Sequence, residues 1–314
     1  MGTATTRLRI ATRESRLAMR QTEMVSEAIR EARSTIEVEI VGMTTRGDRV
    51  LDRPLAQVGG KGLFVKELEI ALDEGRADIA VHSLKDVPMR LPDHFALATF
   101  GPREDPHDAF VSNRHGSLAA MPAGSRVGTS SMRRESQLRA LHPRLEFIPL
   151  RGNVNTRLAK LDRGEYDAII LAAAGLNRLG FAARIRSRLV ETVPAIGQGI
   201  LAIEYRRDRG DLAALLAAFE DAATSCASRA ERALGLVVEG SCEVPLGALA
   251  RVNGDALAIE AFIGLPDGTR GIRESASGRC EDAEALGEDL AGRGILLLSD
   301  QPLAQSSSSR KENR

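Results

Sequence analysis

Three kinds of segment in this chain combine residue types able to do chemistry. Asp86 lies in His82-Ser-Leu-Lys-Asp-Val-Pro88, where imidazole, hydroxyl, ammonium and carboxylate groups precede a rigid Val-Pro step. A carboxylate fixed there can move a proton or stabilise a developing cation, and a turn-capping Asp is the plainer reading that spacing leaves open. Cys242 sits in Glu239-Gly-Ser-Cys-Glu-Val-Pro-Leu-Gly247, with little side-chain bulk beside the sulfur. The thiol is therefore a candidate attachment point, or else a loop cysteine without chemistry. Gly128-Thr-Ser-Ser-Met-Arg-Arg134 and Arg151-Gly-Asn-Val-Asn-Thr-Arg157 each join capping residues to arginines at an expected helix start. Free backbone N–H groups, the helix dipole and guanidiniums there favour an anion, whereas simple N-capping needs no ligand. Two such loops close in sequence favour the anion site.

Charge distribution agrees. Lys+Arg and Asp+Glu are equal at 43 each, which argues against a surface adapted to nucleic acid or an anionic membrane. Between Arg126 and Arg157, however, seven arginines meet only two acids, Glu135 and Glu146. Arginine forks match carboxylates and phosphates two oxygens at a time, so the cluster points to a small polyanion. With 3% aromatic residues and no tryptophan, little is available to stack on bases.

Other chemistries find no support. Gly59-Gly-Lys-Gly62 lacks a Walker pattern because Leu55 and Gly62 stand where Gly and Ser or Thr are required, so Lys61 reads as a charge on a flexible loop able to close over a cleft. Arg13-Glu-Ser15 is a weaker candidate of the same kind. The five histidines show no metal-ligand spacing, and no Gly-x-Ser-x-Gly elbow occurs. Cys226, Cys242 and Cys280 form no Cys-x-x-Cys pair and leave an odd count, so free thiols in a reducing compartment are expected rather than a disulfide framework or a zinc site. No stretch approaches the roughly 18 apolar residues of a membrane span, and the first residues lack a signal-peptide core, so the expectation is a cytoplasmic protein.

The elements that must position these residues alternate between strand and helix. Leu8 and Ile10 mark a strand, Leu17 to Ile29 a helix, Ile36 to Ile40 a strand, Phe64 to Leu72 a helix and Asp78 to His82 a strand. After the break Gly101-Pro-Arg-Glu-Asp-Pro106 a second α/β series runs through Arg126–Gly128, Ser131–Leu141, Leu145–Leu150, Val154–Asp162 and Tyr166–Leu171. Beyond Val193-Pro-Ala-Ile-Gly-Gln-Gly199, a strand at Ile200–Tyr205 is expected to return to the first sheet. Helical Ala223–Leu236, strands at Ala256–Ile263 and from Thr269, and a helix near Asp282–Ala291 then suggest a small α+β unit. The expected fold is therefore α/β, with two α/β domains joined by two crossings and a small α+β C-terminal domain. The domains are placed at 1–101 with 200–221, 106–195 and 222–304, followed by a disordered tail at 305–314. Ligands on such sheets bind at the carboxyl ends of strands.

Taken together, Leu8-Arg-Ile-Ala-Thr-Arg-Glu-Ser15, Thr45-Arg-Gly-Asp48, Val58-Gly-Gly-Lys-Gly-Leu-Phe64, His82–Pro88, Gly128–Arg134, Leu150-Arg-Gly-Asn153, Pro194-Ala-Ile-Gly-Gln-Gly199 and Gly240-Ser-Cys242 closely resemble the porphobilinogen deaminase (hydroxymethylbilane synthase) family, from Leu8 to about Leu297. The resemblance implies a pair of periplasmic-binding-protein-like domains and a third bearing the cysteine loop. It implies a dipyrromethane cofactor joined by a thioether to Cys242, which primes head-to-tail addition of porphobilinogen with release of ammonia. Hydrolysis then frees hydroxymethylbilane. It also implies that Asp86 is catalytic and that Arg13, Ser15, Lys61, Ser83, Lys85, Thr129, Ser131, Arg133, Arg134, Arg151, Gly152, Asn153, Arg157 and Arg178 bind cofactor and substrate. No metal, nucleic acid or membrane partner is implied, and a monomer is usual. Two positions depart from the family pattern: Gln57 replaces a lysine and Arg16 a proline. The alternative from residues alone is a periplasmic-type polycarboxylate-binding protein, which would have no need of Cys242.

Overall fold

A computed structural model describes residues 6–45, 64–238, 244–265 and 270–300. Gln57, Lys61, Cys242, the expected start of a strand at Thr269 and the tail at 305–314 lie outside the described residues.

The first sheet has the order β2-β1-β3-β10-β4, built from β1 (Thr6–Arg13), β2 (Ile36–Met43), β3 (Ile79–Ser83), β4 (Phe95–Phe100) and the distant β10 (Leu201–Arg206). Helix α1 (Arg16–Ala32) starts where Ser15 Oγ accepts from Ala18 N at 3.3 Å. It lays Val25 and Ile29 on Leu8, Ile10, Val38 and Ile79. The alternate strand residues Ala11 and Ala80 face Leu68 and Leu72 of α2 (Lys66–Asp73) on the other side. A sheet covered on both faces needs apolar residues at successive strand positions, which explains the nearly continuous run Ile79-Ala-Val-His82.

The second sheet repeats the design in the order β7-β6-β8-β5-β9. Its strands are β5 (Asp108–Val111), β6 (Arg126–Gly128), β7 (Glu146–Ile148), β8 (Ala168–Ala172) and β9 (Ser187–Leu189), with helices α3 (Met132–Leu141), α4 (Val154–Asp162) and α5 (Ala173–Arg178). Phe110 and Ile170 pack towards Leu138 on one face, while Ala109, Val111 and Ile169 pack towards Leu158 and Leu161 on the other. Each sheet is mainly parallel with one reversed strand, β10 in the first and β5 in the second. Both reversed strands enter straight from a crossing, so the chain arrives from the opposite direction to the βα units.

The two crossings run side by side. Glu104 N donates to Gly199 O at 3.1 Å, and Gln198 Nε2 donates to Pro106 O at 2.7 Å. Gly197 and Gly199 have φ of +70° and +93°, and a Cβ on Gly199 would collide with the carbonyl of Glu104. Glycine is required here both for handedness and for the close approach of two backbones.

After α6 (Gly210–Ala217), helix α7 (Ala222–Val238) leads to an antiparallel sheet of β11 (Leu246–Asn253), β12 (Ala256–Gly264) and β13 (Gly271–Arg279), then α8 (Ala283–Asp300). Leu257, Ile259, Ala261 and Ile263 alternate inward from β12 onto Ala227, Ala230 and Leu234 of α7. Met89 and Ile196 belong to the same core, which fastens this unit to the other two. Buried Glu231 reinforces the joint, accepting from Arg103 Nη1 at 2.6 Å, Gly197 N at 2.7 Å and Ala250 N at 2.8 Å.

One expectation is overturned here. Cys226 of α7 and Cys280, in the turn Cys280–Asp282 before α8, are joined as a disulfide with their Cα atoms 5.6 Å apart. They lie 54 residues apart in sequence, and only the folding of β11 to β13 over α7 brings them together. Short-range spacing therefore gave no sign of the pair.

Candidate functional site

Parallel strands share one carboxyl edge, so the segments following β1, β3, β6, β7 and β8 are forced to the same ends of their sheets. In the first sheet this places Arg13 and Ser15 after β1, and Ser83, Lys85 and Asp86 at and after β3. Arg13, Ser15, Gln21, Phe64, Ser83 and Asp86 line a single pocket. The Arg13 guanidinium lies 4.2 Å from the Phe64 ring centroid, and Gln21 Nε2 donates to Ser83 Oγ at 2.8 Å. Asp86 ends the helical turn Leu84–Asp86, which is anchored where Leu84 N donates to Ile200 O at 3.0 Å. The residue that leads into the reversed strand β10 therefore anchors the Asp86 turn.

In the second sheet the edge carries Thr129, Ser131, Arg133 and Arg134 after β6, Arg151, Gly152, Asn153 and Arg157 after β7, and Arg178 at the end of α5. Ser131 Oγ caps α3 by accepting from Arg134 N at 3.4 Å, while Thr129 Oγ1 accepts from Ser131 N at 3.2 Å. Asn153 Oδ1 caps α4 by accepting from Thr156 N at 2.9 Å. The capping readings thus hold for Ser131 and Asn153, and capping leaves the adjacent arginines in place. Ser130 Oγ ties the two loops together, donating to Leu150 O and accepting from Leu150 N, each at 2.9 Å. Gly152, at φ +114°, lets its carbonyl accept from Arg157 Nε at 2.7 Å.

The adjacent arginines differ from the expectation of open forks. Arg133 and Arg134 are buried, and both engage Asp108: Arg133 Nη1 at 2.8 Å from Oδ2, and Arg134 Nε at 2.9 Å from Oδ1. Arg133 Nη1 also donates to Val193 O at 2.7 Å, and Arg134 Nη1 to Ile170 O at 3.0 Å. Burial opposes the charge of Asp108, but the two guanidiniums outweigh it and hold its carboxyl far below the usual range. Gln198 Nε2 completes the cluster 3.0 Å from Asp108 Oδ1, and its Oε1 receives Lys85 Nζ at 3.4 Å. Gln198 thereby links the two carboxyl edges through the crossing.

The electrostatic balance at this junction is positive. Burial pushes Lys85 down to about 8 even though Asp86 favours its charge. Burial, then Arg134 and Arg151, lower Arg157, with Asp86 again opposing. Burial likewise lowers Arg178, whose Nη2 donates to Gly199 O at 2.7 Å and whose buried Nε has no partner among the described residues. Crowded, desolvated cations that penalise one another's charge are the expected surroundings for a ligand that brings carboxylates of its own. A pyrrole chain bearing acetate and propionate groups has that chemistry, so the residues present fit a dipyrromethane.

Sequence reasoning missed Asp108, Gln198, Gln21 and the pocket role of Phe64. Gln198 was visible within Gly197-Gln198-Gly199, where paired glycines around a polar residue signal close backbone approach. Asp108 carries no local signal, since its importance comes from arginines 25 and 26 residues away.

Comparison with known proteins follows the same division of the chain. Residues 8–214 match the family model described as "Porphobilinogen deaminase, dipyromethane cofactor binding domain", and residues 225–293 match "Porphobilinogen deaminase, C-terminal domain". The porphobilinogen deaminase of Burkholderia thailandensis is 56% identical over 313 residues, covering 97% of this chain and 95% of its own. Those of Thiobacillus denitrificans and Chromobacterium violaceum are 56% and 57% identical over 288 residues, covering 91% of this chain and 94% and 93% of theirs. Among solved structures, the methionine binding protein MetQ aligns with 68% of this chain and 89% of its own at a TM-score of 0.44 and 15% identity.

Proposed function

The chain belongs to the porphobilinogen deaminase family, transferases that make hydroxymethylbilane from porphobilinogen, and we propose that Asp86 is its catalytic carboxylate and Cys242 the thioether anchor of its dipyrromethane cofactor. The cofactor supplies a pyrrole terminus on which the chain is extended. The work of this protein's own residues divides between holding carboxylates and handling one proton.

Arg13, Lys85, Arg151 and Arg157 bind the acetate and propionate groups, aided by Ser15, Ser83, Thr129, Ser131, the Gly152–Asn153 loop and Arg178, with Lys61 contributing from the sequence ahead of Phe64. Arg134 binds from its buried position while Asp108 holds its direction. Arg133 acts more through the crossing, since its bonds go to Asp108 and Val193. Asp86 assists departure of the substrate amino group as ammonia, its charge stabilising the methylene cation left behind. The same carboxylate takes hydrogen bonds from pyrrole N–H groups as the new carbon–carbon bond forms, and the proton displaced from the attacked pyrrole carbon is released to solvent, where the departed ammonia can take it up.

The observation that carries this reading is the position of Asp86. It shares a pocket with Arg13, Ser15 and Ser83, and its carboxylate favours the charged forms of both Lys85 and Arg157, which follow strands of different sheets. Along the chain the domains divide at 1–101 with 200–221, 106–195 and 222–304, and the protein acts as a cytoplasmic monomer without nucleic-acid or membrane partners. Among the described residues no helix is long and apolar enough to cross a membrane. A polycarboxylate-binding protein would not require the C-terminal family domain matched at residues 225–293.

The Asp86→Asn protein tests the assignment. It should carry the cofactor mass yet release ammonia from porphobilinogen at least about 100-fold more slowly than wild type. Turnover within a few-fold of wild type would remove Asp86 from this role.

A further inference from the structure

Beyond the transferase site, we propose that Cys226 and Cys280 form a thiol–disulfide site that closes at the expense of a low-molecular-weight disulfide of the glutathione type, clamping the C-terminal unit and leaving Cys242 as the sole unpaired thiol of the cofactor-free chain.

The two residues are poised for the bond by contacts independent of it. Cys280 N donates to Asp255 O at 2.9 Å, Arg229 Nη2 donates to Cys280 O at 2.9 Å, and Arg229 Nη1 pairs with Glu284 at 2.6 Å. Arg229 stands on α7 one turn beyond Cys226, so the same helix that carries one cysteine holds the backbone of the other. The Cα separation of 5.6 Å then permits a bond without backbone movement.

Exposure sets the order of events. Cys226 is 3% exposed and shut in the core, whereas Cys280 is partly exposed. The Cys280 thiolate attacks the small disulfide, its S–S bond breaks, and one small thiolate departs as a mixed disulfide forms on Cys280. The Cys226 thiolate then attacks Cys280 Sγ, forming the protein disulfide and expelling the second small thiolate. Overall two protein thiols are oxidised, one small disulfide is reduced to two thiols, and the two protein protons pass to those products.

Closure ties α7 to the turn before α8 across a 54-residue interval that contains β11, β12, β13 and Cys242 itself. A link of that span stabilises chiefly by restricting the unfolded chain. It leaves the first two sheets and the Asp86 pocket untouched, so it sets the durability of the C-terminal unit rather than the rate of chemistry.

The test uses the full chain with its cofactor bound, fully reduced, freed of reductant and incubated without oxygen in oxidised or reduced glutathione. With oxidised glutathione, a non-reducing peptide map should show the Cys226 and Cys280 peptides joined and the protein lighter by two hydrogens. Tm should rise by about 5 °C or more, reversibly on reduction. Cys280→Ser should abolish both shifts while keeping wild-type kcat, and Cys226→Ala should retain a stable glutathione adduct at Cys280. The proposal is overturned if both cysteines of the wild type still alkylate after oxidised glutathione, if the wild type keeps the adduct instead of resolving it, or if the closed protein melts no higher than the reduced one. Because the readouts are cross-link, mass and melting, failure here leaves the transferase assignment standing, and loss of that assignment leaves this result interpretable.

Discussion

Arg134 Nε lies 2.9 Å from Asp108 Oδ1, and the neighbouring Arg133 grips the same carboxylate through Nη1 at 2.8 Å from Oδ2. Two buried guanidiniums thus share one internal acid at the junction of the sheets. The arrangement pre-aims both side chains yet leaves one positive charge uncompensated, which a ligand carboxylate can answer.

Replacing Asp108 with Asn should strand that pair of buried cations. Removing one partner of a buried ion pair costs about 3–5 kcal/mol, so denaturant unfolding should show a loss of that order. An Asp108→Asn protein as stable as wild type would mean that water, rather than Asp108, satisfies the two arginines.

Lys85 gives a dependence on pH with a definite sign. Its folded value of about 8 lies below the ordinary 10.5, so the unfolded chain binds more protons between those values. Stability of the cofactor-free protein should therefore rise with pH across that window, relative to Lys85→Met, because deprotonation relieves the buried ammonium. The penalty is fully present below about 8. Melting curves of the two proteins across the window provide the check, and parallel pH profiles would contradict the burial of this charge.

Much of this architecture was legible in the sequence because its signals are local. The Leu8/Ile10 alternation, the helical spacing from Leu17 and the capping residues Ser131 and Asn153 all report on neighbours a few residues away. The strand at Ile200–Tyr205 was placed in the first sheet from its apolar run and the break before it, and β10 pairs there with β3 and β4. What escaped was non-local. The Cys226–Cys280 bond and the Asp108 cluster depend on segments brought together only by the tertiary fold. The arginine loops were recognised as cationic, but the internal acid that occupies Arg133 and Arg134 of the first loop was not.

Gly199→Ala should damage the crossing although it adds one methyl group. The new Cβ would clash with the carbonyl of Glu104 and hold alanine at φ +93°, a strain of about 1–3 kcal/mol before the clash is counted. Because Gly199 O also accepts from Glu104 N and Arg178 Nη2, cleft geometry should suffer together with Tm. A variant with wild-type Tm and KM would show that the crossings yield easily.

Intact mass bears most directly on the assignment of this chain as a cofactor-primed transferase. Protein purified from a host that makes porphyrins should exceed its sequence mass by two linked pyrrole units, localised by peptide mapping to Cys242 and absent from Cys242→Ser. An unmodified wild-type mass from the same host, or an equal excess on Cys242→Ser, would contradict it.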